Sequence, residues 1–221
     1  NFNFNLAENK KTKLLLGPRY AILDCNLKTK KKNIIKKFYN ICFYMGGSGD
    51  FKFFDKIILE FIKRRNLINK KINIYIIIGP ACKNVQSLIL LSKKFSFIKI
   101  IDGKKKLDKI IFDMNLIIGS AGNIVYETSF YNIPSLFFEV SENQRNDIAS
   151  MEKIGHYFLL SSLELKNYKK LAELIYLMLK NYNKIYKLNL SKNIKVDNKG
   201  ANRIAKNLMS LNSNGNNFIS R

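Results

Sequence analysis

Several residue types are scarce in this 221-residue chain, and each scarcity narrows what the protein can be. Tryptophan is absent, histidine occurs once (His156) and proline three times (Pro18, Pro80, Pro134). The cysteines, Cys25, Cys42 and Cys82, are odd in number, far apart and form no CxxC pair, so a zinc site is not expected and reduced, buried thiols are. A lone histidine could titrate near neutrality. Placed just before the apolar run YFLL, His156 reads as structural. No uninterrupted apolar run approaches the roughly 18 to 20 residues of a membrane span. The opening NFNFNLAENKKTK has no apolar signal-peptide core. The expectation is a cytoplasmic protein with no membrane span.

Acidic residues are also few, 16 against 39 basic ones, which leaves a net charge of +23. Such a charge invites a nucleic-acid or anionic-membrane reading. Only six of the basic residues are arginine, however, and the lysine runs (KTKKKNIIKK, GKKKLDK) are scattered rather than gathered into a stripe. No RNP, zinc-finger or homeodomain pattern accompanies them. Lysine therefore reads as generic solvated surface, and nucleic acid is not an expected partner.

Against these absences stands a regular alternation. Apolar runs at Ile41 to Met45, Ile72 to Ile78, Phe97 to Ile101, Asn115 to Ile118, Ser135 to Phe138 and Tyr157 to Leu160 predict six strands. Helical spacing separates them over Phe51 to Arg65, Val85 to Lys94, Leu107 to Phe112, Ile124 to Tyr131 and Gln144 to Ile154. The strands are apolar throughout rather than alternating, as parallel strands covered on both faces are. The predicted fold is α/β, a Rossmann-like doubly wound parallel sheet of about six strands followed by C-terminal helices over Leu163 to Leu211. Residues 1–38 read as a linker or the remnant of a preceding domain, 39–211 as the Rossmann-like domain, and 212–221 as a disordered tail.

Ligands of such sheets bind at the carboxyl ends of the strands. Two glycine loops are expected there: MGGSGD (Met45 to Asp50) and IGSAGN (Ile118 to Asn123). Glycine lets a ligand approach the peptide groups, and open amides make an anion site suited to phosphate. Ser48 and Ser120 could add hydroxyl donors. Neither loop is a GxGxxG or Walker motif, and either could serve packing alone. Glu127, early in the helix after the second loop, is favourable there on dipole grounds; it could equally accept from two vicinal hydroxyls. Asn143 could cap the next helix, and Gln144 could offer its amide to sugar hydroxyls.

The stretch GGSGD, followed by DMNLIIGSAGNIVYETSFYNIPSLFFEVSENQRNDIASMEKIG, resembles the C-terminal domain of GT-B-fold nucleotide-sugar enzymes. It is most similar to the pseudaminic acid pathway hydrolase and the spore-coat polysaccharide proteins. These remove UDP from UDP-2,4-diacetamido-2,4,6-trideoxy-β-L-altropyranose. A MurG-like glycosyltransferase is the more distant alternative, and a non-catalytic UDP-sugar-binding module the third. Leu14 to Asp24 (LLLGPRYAILD) and Asp197 to Leu208 (DNKGANRIAKNL) look more like the hydrolase than the transferase.

The resemblance covers residues 14 to 208. It implies that Gly46, Gly47 and Ser48 lie beside a diphosphate, as do Gly119, Ser120, Ala121 and Gly122. Glu127 would hold the ribose hydroxyls, backbone near Ile101 the uracil, and Asn143 and Gln144 the hexose. It implies no cofactor and no metal site. The family's catalytic histidine belongs to an N-terminal Rossmann domain, which this chain would need as a further domain or a partner chain. His156 matches no catalytic position, and GNIVYET stands where the family has Gly-Ser-Thr-Thr-Trp-Glu.

Overall fold

A computed structural model describes residues 14–23, 38–68, 71–140 and 148–215. Six strands form one sheet: β1 (Phe38–Tyr44), β2 (Lys71–Ile78), β3 (Ile98–Asp102), β4 (Leu116–Ser120), β5 (Ser135–Glu139) and β6 (Phe158–Ser161). They run in the spatial order β3-β2-β1-β4-β5-β6, and every neighbouring pair is parallel. The helices between them are α1 (Phe54–Arg64), α2 (Gln86–Lys94), α3 (Asp108–Phe112), α4 (Ile124–Phe130) and α5 (Ile148–Lys153). After β6 come α6 (Tyr168–Lys180), α7 (Tyr182–Leu190) and α8 (Gly200–Gly215).

Successive strand side chains point to opposite faces, so a strand covered on both sides must be apolar at both parities. In β1, Ile41 and Phe43 enter one core and Cys42 the other. In β5, Leu136 and Phe138 face one way and Phe137 the other. The first core is closed by α1 (Phe54, Ile57, Ile58, Phe61) and α6 (Leu171, Ala172, Ile175, Met178, Leu179). The second lies under α3, α4 and α5, with Ile111, Ile124, Val125 and Met151. The six expected strands and the doubly wound arrangement are all present, with β1 beginning three residues before its predicted start.

The C-terminal region departs from one long helical stretch. Asn181 breaks α6 from α7, its amide and side chain both turned back onto Leu177 O. Ser191 Oγ closes α7 on Leu188 O (2.7 Å). Residues 14–23 are not free of the domain. Ala21 O lies where a Cβ on Gly200 would stand, 2.0 Å from it, so only glycine admits this crossing. Arg203 bonds Asp197 through both nitrogens (2.7 and 2.5 Å) and also donates to Arg19 O (2.8 Å). The two segments set apart by the sequence resemblance, around 14–24 and 197–208, thus touch each other.

One glycine sets the centre of the sheet. A Cβ at Gly119 would sit 1.7 Å from Tyr44 O, on the facing strand. Gly119→Ala is expected to destabilise by about 1–3 kcal/mol or more, as overpacked cores do. Urea unfolding of the two proteins measures it, and equal midpoints would show that β1 and β4 can separate at no cost.

Candidate functional site

The strand order reverses between β1 and β4. From β1 the chain turns to α1 on the first face; from β4 it turns to α4 on the second. The two loops therefore part at one edge of the sheet and leave a crevice outside the carboxyl ends of the strands, the usual binding place of such folds. Register confirms that they share that edge, since Tyr44 is paired with Gly119.

The loop after β1 begins at Gly46, whose φ of 78° is a left-handed value that glycine adopts without strain. A Cβ there would stand 3.7 Å from Ser120 Oγ, so the first loop passes close to the end of β4 at this point. The carbonyls of this loop are consumed on its far side. Gly47 O accepts from Ala81 N (3.0 Å), Gly49 O from Lys83 N (3.0 Å) and Gly46 O from Cys82 Sγ (3.5 Å). Asp50 Oδ1 accepts from Asn84 Nδ2 (2.6 Å) and Lys52 N (2.8 Å), bonds that hold its carboxyl below the usual carboxylate range. The amides of Gly47, Ser48 and Gly49 donate to no other group among the described residues. Nothing stands within 4 Å of a Cβ placed on Gly47. These are the open donors of the crevice.

The second loop is shorter than the sequence suggested. Gly119 and Ser120 belong to β4 and are buried, and Ala121 N is bound to Phe138 O (3.0 Å). The small size of Gly119 serves strand contact with Tyr44 rather than access. Only Gly122 and Asn123 form the turn, and the amides of Asn123 and Ile124 donate to no other group among the described residues. Glu127 is half-buried on α4. Burial, and secondly the charge of Glu127, push the Tyr44 phenol above its ordinary pKa.

Ile101 lies on the same edge but two strands from β1. It pairs with Ile77 and leans into the second core, the face that carries α4. Asn143 and Gln144 fall outside the described residues. The structure thus brings Gly46, with Gly47 and Ser48 in its loop, close to Ser120; Gly122 and Glu127 follow β4 on the next turn and α4, and Ile101 lies further along the rim.

Two residues escaped the sequence reading. A Cβ on Gly79, after β2, would lie 2.6 Å from Gly46 O, and one on Gly103, after β3, 2.8 Å from Ile78 O. Glycine after each of β1, β2 and β3 allows these rim loops to stack; the recurrence of IGP and DGK after strands was the available signal. A cavity of about 310 Å³ opens on the other flank of the first loop, between Met45, Asp50, Phe53, Val140 and Leu165.

His156 is not at the rim. It precedes β6, at the opposite end of that strand, and is buried edge-on to Phe137 (5.1 Å). Burial pushes its pKa down to about 4. Among the described residues no three His, Cys, Asp or Glu side chains group as a metal site, and no helix is long and apolar enough to cross a membrane.

No family model matches the chain. It is 29% identical over 146 residues to Uncharacterized protein MJ1062 of Methanocaldococcus jannaschii, covering 62% of this chain and 29% of that protein. Among solved structures it is similar to the S. aureus MnaA-UDP co-structure (TM-score 0.51, 15% identity, 80% of this chain and 47% of that one). It is also similar to UDP-GlcNAc 2-epimerase from Neisseria meningitidis bound to UDP-GlcNAc (0.50, 13%, 79% and 45%). A third is the M. jannaschii UDP-GlcNAc 2-epimerase in complex with UDP-GlcNAc and UDP (0.50, 16%, 78% and 45%). These likenesses establish the Rossmann-like α/β fold. The chain spans less than half the length of each of these proteins.

His156 supplies a pH signature. Its folded pKa lies below the unfolded value, so the unfolded chain takes up the proton first. Stability present above about pH 6.5 is lost as pH falls toward 4, at up to about 1.4 kcal/mol per pH unit. The melting temperature is expected to drop more steeply over this window in the wild type than in His156→Gln; identical slopes would remove His156 as the cause.

Proposed function

We propose that this chain is the UDP-sugar-binding domain of a nucleotide-sugar enzyme, with the hydrolase of the pseudaminic acid type as the specific reading. The observation that carries it is the loop after β1, which passes the end of β4 at Ser120 beside the β1–β4 reversal and keeps the amides of Gly47, Ser48 and Gly49 without an acceptor among the described residues. Amides fixed in this way donate to phosphate oxygens without rearrangement. Gly46, Gly47, Ser48, Ser120, Ala121 and Gly122 then line the diphosphate, with Gly119 holding the strands beneath. Glu127 accepts from the two ribose hydroxyls, and Asn143 and Gln144 meet the hexose.

The base would lie along the rim toward Ile101. β3 is an edge strand, so every second peptide group on it faces away from β2 and can pair with a uracil. The solved structures of similar fold that hold UDP or UDP-GlcNAc support this ligand class. The hydrolase reading rests on the sequence resemblance of Leu14 to Asp24 and Asp197 to Leu208. The base that would activate water comes, in this reading, from an N-terminal domain or partner chain. His156 is buried away from the rim and is not that base.

Glu127→Ala separates the roles of the carboxylate by sign. A carboxylate that only stands near a diphosphate repels it, and its removal would tighten binding. One that accepts from ribose contributes about 1.5–3 kcal/mol, so its loss weakens UDP about tenfold to a hundredfold. Calorimetric titration of UDP into both proteins is expected to show the weakening. Equal or tighter binding by the variant would take Glu127 out of the site, and no UDP binding by the wild type would end the nucleotide reading.

A further inference from the structure

Helix α4 is only seven residues long, and no side chain caps its first turn. A helix this short has little stability of its own, so its position is set by what grips it. Two polar groups do so from behind, one buried and one part-buried. His156 Nε2 lies 2.7 Å from Val125 O and 3.3 Å from Thr128 Oγ1. A carbonyl can only accept, so Nε2 carries the proton and the neutral imidazole donates to the helix. Lys192, from the segment after α7, donates to Ser129 O, and its Nζ lies 2.7 Å from Asn132 Oδ1 and 3.3 Å from Ser129 Oγ. Asn189 Nδ2 donates to Gly155 O (2.8 Å), which fixes the residue before the histidine.

Val125 and Ser129 lie one turn apart on the same side of α4. Glu127 sits between them in sequence and about 200° round the helix from either. The gripped carbonyls and the carboxylate thus occupy opposite sides of one short helix.

We propose that His156 and Lys192 are positioning residues for Glu127, holding α4 by the carbonyls that bracket it so that the carboxylate meets its ligand in fixed geometry. The proposal rests on the nucleotide reading of the rim, because what is positioned is a group that accepts from a ribose. A bidentate contact tolerates little displacement, and a shift of 1 Å at a positioned group costs up to about a hundredfold.

The test is UDP titration of the full chain by calorimetry. His156→Leu removes the donor; His156→Gln keeps an N–H near the ε position. We expect about five- to twentyfold weaker UDP binding for the leucine variant and a change within about twofold for the glutamine variant. In a Glu127→Ala background His156→Leu should have no further effect, because the group it positions is gone. An unchanged Kd in His156→Leu, or a loss that persists undiminished in the Glu127→Ala background, overturns the proposal. Lys192→Met, at a part-buried position, takes the same place in the cycle if His156→Leu does not fold.

Amide hydrogen exchange separates this proposal from the reading it rests on. If the wild type binds no UDP, the nucleotide reading falls by itself. Faster exchange confined to α4 in the variant, with α1 and α6 unchanged, still supports the grip; unchanged exchange in α4 overturns it.

Discussion

The contact on which the rest depends is the approach of β4 to β1 at Gly119. Tyr44 O occupies the space a side chain would take, so the two central strands lie closer there than any other residue allows. The reversal of strand order falls at this same pair. Everything at the rim follows from it. The loop after β1 can lean on Ser120 only because the strands beneath are drawn together, and Gly46 can turn there only because its φ is positive.

The crevice is built by using up one side of a loop and leaving the other. Carbonyls of Gly46, Gly47 and Gly49 are bound to the segment after β2, and Asp50 is tied to Asn84. A loop held by its carbonyls has little freedom left, and its amides are donors in fixed places. Preorganised donors of this kind cost no reordering when an anion arrives. The second loop is shorter than its composition suggests, and α4, which carries Glu127, follows it.

The strands and helices were legible because burial on both faces demands apolar residues at both parities, and β2 (KINIYIII) and β5 (SLFFE) meet that demand locally. The class of fold followed from the alternation. What could not be read is whatever depends on which strand lies beside which. The same glycines that look like a ligand loop in GSAG divide, in the structure, between strand contact (Gly119) and turn (Gly122). The approach of Gly46 to Ser120 spans more than seventy residues and has no local trace. The break at Asn181 contains neither glycine nor proline, so helical periodicity ran through it. His156 was legible as structural from its place before an apolar run, whereas its bond to Val125 O was not.

The net charge of +23 bears on the site in one further way. A lysine-rich surface raises the local concentration of any anion and speeds its encounter, but it does so for every anion alike. Selectivity at the rim must then come from a group that penalises the wrong ones. A carboxylate does this. Near a diphosphate it is repulsive, and only hydroxyls that donate to it offset the repulsion. With Glu127 at the site, as the nucleotide reading has it, inorganic phosphate and pyrophosphate meet the repulsion without the compensation, whereas a ribose-linked diphosphate meets both. On the nucleotide reading, the generic positive field supplies encounter and the half-buried Glu127 supplies discrimination. The short helix that carries it is accordingly gripped on its far side by groups that have no other task at the rim.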